Sequence, residues 1–157
     1  MPVVQRSFRM FTAGAGAAGW TEFTGGRGPA VRLRAADLQR AQRESARLRA
    51  DPGSSGTSVI LDIRVLIAED FRTARRASAA VAVPPEDCVQ YVGTLAGLVG
   101  LVRDVYAAGV ADGVTLVPAA PDQDVEALAL ATLARDRALT SSGSRPPGRA
   151  SAPGGSG

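Results

Sequence analysis

The run Ser58-Val-Ile-Leu-Asp-Ile-Arg-Val-Leu-Ile-Ala68 constrains the fold more than any other stretch. It is almost entirely β-branched or leucine, with little alternation of apolar and polar residues. That is the pattern of a parallel strand buried on both faces. Such a strand needs a hydrogen-bonded neighbour along each edge and cover above and below. Asp62 and Arg64 interrupt the run two positions apart, so they project from the same side. There they suit a structural ion pair, an exposed strand end or contact with a ligand.

The flanking sequence supplies helices and further strands in alternation. Ala30-Val-Arg-Leu33 is a short strand candidate, and 35–50 reads as a helix. Leu38, Ala41, Ser45 and Leu48 form its narrow small-residue stripe, with Arg40, Arg43, Arg47 and Arg49 around it. Glu44 can pair with Arg40 or Arg47. Asp51-Pro-Gly-Ser-Ser-Gly56 is a loop. Glu69-Asp70 open a helix through Ala80, with acids at the dipole-favoured end, and Pro84-Pro85 force a break. From Tyr91 to Pro118 the chain reads as one capped helix and one buried strand. Thr94 is the N-cap; Leu95, Leu98, Val99, Val102, Val105 and Tyr106 share a face; Gly109 stands at the left-handed C′ position. Gly113-Val-Thr-Leu-Val117 is the strand, and Pro118 ends it. Pro121-Asp122 begin a last helix reaching about Leu139. Near the start, Val3-Val4 and Met10-Phe11-Thr12 are β-prone, and 8–12 reads as a strand. A helix feeding into a short apolar strand is half of a βαβ unit, so the class is α/β with parallel strands.

Ala13-Gly-Ala-Gly-Ala-Ala-Gly19 carries glycines at G-x-G-x-x-G spacing after that first strand. A dinucleotide-binding turn would need a helix directly after it and an acid about 20 residues on, a distance near which Asp37 lies. A phosphate-holding loop would use the backbone N–H groups that small residues expose. A plain Gly/Ala loop would need neither. Downstream, Gly25, Gly26, Gly28 and Pro29 argue against a continuous helix. From Thr140 onward the chain is Ser, Gly, Pro, Arg and Ala without periodicity, so 140–157 is expected to be a disordered tail. The expected organisation is an irregular start over 1–29, an α/β domain over 30–139, and that tail.

Composition removes several chemistries. The sequence has no histidine, and all 18 of its Lys-plus-Arg residues are arginine. Histidine bases, Ser-His-Asp triads, histidine metal ligands, Schiff bases and a P-loop lysine are thereby excluded. The composition points to no metal site and to no catalytic residue. Cys88 is the single cysteine, which fits a reducing interior. Residues 1–50 hold nine arginines against Glu22, Asp37 and Glu44, and the charge of +3 is correspondingly front-loaded. A basic front half can attract acidic partners or nucleic acid, though Trp20 and Phe23 are thin provision for base stacking. No apolar run approaches a membrane span, and the N-terminus lacks a signal pattern. The cytoplasm is the expected location.

The Tyr91–Pro118 segment resembles the last helix–strand segment of luciferase-like flavin-dependent monooxygenases. The carrying residues are Gly93-Thr94, the amphipathic helix, Ala108-Gly109, Asp112-Gly113 and the apolar strand ending in Pro118. Leu95 stands where the family has Pro, and Val114 where it has Phe. The resemblance covers about 30–139, with poorer agreement over 12–29. It implies a (β/α)₈ (TIM) barrel, of which 157 residues can supply only part, since a whole one takes about 250. The expected fold is therefore a partial barrel, its C-terminal half. FMN or a deazaflavin is the implied cofactor, with Gly14, Ala15, Gly16 and Gly19 in the loop that helps hold its phosphate. Gly16 stands where the family has Ser. A small-molecule substrate is implied as well. A half barrel leaves strand edges unpaired, so completion by a second chain or a homodimer is expected, with little or no activity alone. The alternative is a non-enzymatic basic interaction protein that binds acidic partners or nucleic acid.

Overall fold

The structure is a computed structural model and describes residues 7–14 and 19–136. The Val3-Val4 pair, Ala15, Gly16, the end of the last helix at Leu139 and the 140–157 tail lie outside the described residues. Six strands form one sheet: β1 (Arg9–Ala13), β2 (Trp20–Glu22), β3 (Ala30–Leu33), β4 (Ser58–Ile67), β5 (Val89–Gly93) and β6 (Gly113–Pro118). Four helices accompany them: α1 (Leu38–Ala50), α2 (Phe71–Ser78), α3 (Leu95–Ala107) and α4 (Val125–Arg135). Every pairing is parallel except the β1–β2 hairpin. The α/β class and the parallel strands follow the expectation, and a mostly parallel sheet with four helices is consistent with a partial barrel.

Helix limits follow side-chain caps. Asp37, Asp70, Thr94 and Asp124 each accept a hydrogen bond from the backbone N–H three residues on. At the end of α3, Gly109 has φ +70°. Its N–H donates to the Tyr106 carbonyl at 3.1 Å, and the Val110 N–H reaches Val105 at 3.0 Å. This pair of bonds is the Schellman closure that glycine permits.

β4 organises the sheet. Its ten residues are longer than any partner. On one edge Ile60–Val65 pair with β6. On the other edge two short strands share its length: β3 lies along Ser58–Leu61, and β5 along Ile63–Ile67. β6 continues to β1, and β1 to β2. Two strands were not anticipated. β2 is three residues long, too short for a periodicity to register, and β5 leads directly into the Gly93-Thr94 helix start.

Sheet order departs from chain order, which a barrel would preserve. β6 bypasses β5 to reach β4, and β1 lies beside β6 rather than β3. The helices follow from the same reversal. The β3→β4 and β5→β6 connections step across the sheet in one direction, and α1 and α3 pack with α4 into the main core. The β4→β5 connection steps back, and its helix α2 packs on the other face, where Ala74 meets Leu66 and Ala119. A constant crossover hand demands that a reversed step change faces.

The main core joins Met10, Leu61, Ile63, Val65, Val114 and Leu116 of the sheet to Ala41, Leu98, Val102, Val105 and Ala129 of the helices. Two motifs align the strands. Asp112 exchanges backbone and side-chain bonds with Val59: its N–H donates to the Val59 carbonyl at 2.8 Å, and its Oδ2 accepts the Val59 N–H at 2.8 Å. Its Oδ1 also takes Arg49 Nη2 at 3.0 Å. Gly113 lets β1 lie close against β6, because a Cβ there would overlap the Arg9 backbone carbonyl. Gly113→Ala is accordingly expected to lower stability by about 2 kcal/mol in urea unfolding. Gly100→Ala is the opposite-sign control. Gly100 is in α3, where a new Cβ has nothing within 4 Å, and alanine should add up to about 1 kcal/mol.

Candidate functional site

Strand alternation sends one set of side chains to the main core and the other set to the opposite face. On that second face lie Arg9 and Phe11 of β1, Trp20 and Glu22 of β2, Arg32 of β3, Asp62 and Arg64 of β4, and Thr115 of β6. In a closed barrel this would be the interior, filled by side chains from the strands opposite. Here the β2 hairpin and α2 cover part of it.

Polar and aromatic groups on this face satisfy one another. Trp20 stacks on Phe11 at 4.2 Å between centroids and 15° between planes. Its indole N–H donates to Thr115 Oγ1 at 2.9 Å. Arg32 binds both Asp62 oxygens, Nε to Oδ1 at 3.1 Å and Nη2 to Oδ2 at 2.7 Å, and its Cζ lies 5.8 Å over the Trp20 ring. Asp62 and Arg64 do share a side, as their spacing requires. The carboxylate pairs with Arg32, however, and not with its neighbour on β4. Arg64 instead donates to the Ala119 and Ala82 carbonyls at 3.1 and 3.3 Å. Sequence spacing could not find the Arg32–Asp62 pair, because the partners are joined only by β3–β4 register.

At the N-terminal end of the same face, Glu22 is a hub. It accepts Arg9 Nε at 2.9 Å and Nη2 at 2.8 Å, Thr24 Oγ1 at 2.8 Å and the Gly26 N–H at 2.9 Å. The Arg9 side chain keeps only 7% of its surface exposed. Arg9 above all, against the opposing cost of burial, holds the Glu22 carboxyl down to about 2 from 4.5.

The C-terminal ends of the parallel strands offer a different environment. β4 and β6 are neighbours there, yet the helices that follow them lie on opposite faces. Open α/β sheets form their ligand crevices at such a reversal. A cavity of about 370 Å³ occupies this place, between the end of β4 (Leu66, Ile67), α2 and its exit (Ala77, Val81) and the loop after β6 (Asp122, Gln123). Gln123 closes one wall, its Oε1 accepting the Ile67 N–H at 2.7 Å. The lining is aliphatic apart from Asp122 and Gln123, and among its residues there is no cation.

Of the residues proposed for a phosphate loop, Gly14 follows β1 and Gly19, with φ +93°, precedes β2. Ala15 and Gly16 lie outside the described residues. The strands on either side, β1 and β2, pair antiparallel, with Ala13 opposite Trp20. A strand follows the loop, so the helix that a dinucleotide turn needs is replaced by β2, and Asp37 is spent on capping α1. Among the described residues no His, Cys, Asp and Glu group of three or more could hold a metal ion, and no helix is long and apolar enough to cross a membrane.

No family model matches the sequence, and no curated protein matches it. Among solved structures, the fold is similar to that of EDTA monooxygenase (EmoA) from Chelativorans sp. BNC1, with a TM-score of 0.54 at 13% identity. The match covers 69% of this chain and 40% of the EDTA monooxygenase chain. At that identity the likeness is one of fold.

Glu22→Gln should cost about 2 kcal/mol at neutral pH, since it leaves the buried Arg9 guanidinium without its charged partner. The lowered Glu22 pKa also sets a sign. The stabilisation is full above the ordinary value of 4.5 and is lost as pH falls through about 2. The acid limb of a stability–pH curve should therefore be shallower in Glu22→Gln than in the wild type, measured by urea unfolding across that range.

Proposed function

We propose that the chain is a partial barrel of the luciferase-like flavin-dependent monooxygenase type, working in the cytoplasm on a small-molecule substrate and inactive by itself. The fold likeness to EDTA monooxygenase supports this reading, together with the Gly93-Thr94 and Asp112-Gly113 motifs at the ends of one helix–strand unit. In that class FMN or a deazaflavin supplies the redox chemistry, and the protein binds, orients and shields it.

The described residues do not by themselves fit a flavin. The middle of the inner face is filled by Trp20 against Phe11 and by the Arg32–Asp62 pair. The cavity at the end of β4 and β6 has no cation for a phosphate and carries Asp122, whose charge would repel one. The incomplete fit underlies the proposal that this chain needs further barrel strands, from a second chain or a second copy. The outer edges of β2, β3 and β5 have no strand partner among the described residues, and they are where such strands would add.

The test is a flavin titration of the purified chain. The protein should be colourless, with a Kd for FMN in the millimolar range or weaker. Saturation of flavin fluorescence quenching at micromolar FMN would overturn the claim that the chain alone lacks a working site.

A further inference from the structure

A groove on the far edge of the sheet holds none of the residues discussed for the flavin. β3 ends with Leu33 opposite Leu61, and β5 begins with Val89 opposite Ile63. The two half-length strands thus meet end to end along β4. The chain leaving β3, the exposed side of α1 and the segment entering β5 surround a space of about 600 Å³. Arg34, Arg40, Arg43 and Arg47 line it, with Glu44, Glu86 and Asp87. Arg40, Arg43 and Arg47 follow each other at three- and four-residue steps, so one helix face presents all of them.

What occupies these guanidiniums now indicates what they bind. Arg34 Nη2 holds Asp87 at 3.3 Å, Arg47 holds Glu44 at 3.4 Å, and Arg40 reaches Asp37 at 3.8 Å. Each is a single-pronged, solvent-exposed contact, the kind that exchanges readily. A guanidinium carries five N–H donors, so each retains donors for a second carboxylate. The Arg43 side chain has no ion pair among the described residues. The acidic pair Glu86-Asp87, delivered on a segment after Pro84-Pro85, already lies against the arginines. No aromatic ring lines the groove, so a nucleobase would find nothing to stack on.

We propose that this groove docks an acidic peptide segment of a partner protein, a run of successive Asp or Glu side chains that takes up Arg40, Arg43 and Arg47 and competes with Asp87 for Arg34.

The experiment is fluorescence anisotropy of a labelled hexaglutamate peptide titrated with the full chain. Saturable binding is expected at low salt, weakening steeply as ionic strength rises. The double variant Arg40→Ala/Arg43→Ala should bind on the order of tenfold more weakly. Arg72→Ala/Arg76→Ala, which removes the same charge from the exposed face of α2, should bind like the wild type. Arg43→Glu gives a second variant that disturbs no ion pair, and it should weaken binding at least as much. Circular dichroism melts establish that each variant is folded. Absence of peptide binding, an equal loss in both double variants, or tighter binding of an oligothymidylate of equal charge would each overturn the proposal.

Discussion

The fold depends on how the two edges of β4 are satisfied. A strand buried on both faces cannot leave its N–H and C=O groups to water, so each edge must be paired along its length. β6 supplies one edge. No single strand supplies the other, and β3 and β5 divide it between them. That division puts β3 and β5, the strands before and after β4 in the chain, on the same side of β4, forces the path across the sheet to step back after β4, and sends α2 to the opposite face. The crevice at the end of β4 and β6 and the arginine groove at the β3–β5 junction are both products of that one arrangement.

The inner face shows how a sheet manages the side on which α2 is the only helix among the described residues. Side chains that would meet opposing strands in a closed barrel meet local substitutes instead. Trp20 folds back over Phe11 and ties to Thr115, Arg32 neutralises Asp62, and Glu22 gathers Arg9, Thr24 and Gly26. Arg9 with Glu22 and Arg32 with Asp62 find their counter-charges across strands, which is the condition for keeping charge away from water, whereas Arg64 relies on two loop carbonyls and keeps its buried Nη1 unpaired. The arrangement is self-contained, and it also fills the volume in which a ligand would lie.

The motifs carrying the family likeness have structural duties in this chain. Asp112 joins β4 to β6 and to Arg49, Gly113 permits the approach of β1, and Gly109 closes α3. Gly93 and Gly97 leave room for the Tyr91 ring, whose hydroxyl donates to the Thr94 carbonyl at 3.2 Å. Residues that assemble a helix–strand unit can persist wherever the unit does. This is why they speak for the fold more strongly than for chemistry.

Much of the local structure was legible in the residues. The β4 run, the Ala30–Leu33 strand, the Thr94 cap, the Gly109 stop and the Gly113 strand are all local propensities, decided within a few residues by β-branching, a capping hydroxyl or a left-handed glycine. β2 escaped notice because it has only three residues, and β5 because it runs directly into the Gly93-Thr94 helix start. Which strand lies beside which, that Asp62 belongs to Arg32 rather than Arg64, and that β1 and β2 pair antiparallel were settled by tertiary contacts alone. Those contacts join residues more than 100 positions apart, as the pairing of Met10 with Val114 shows. Short-range pattern carries the shape of each element, whereas the pairing of elements depends on burial and hydrogen bonding that only the assembled sheet provides.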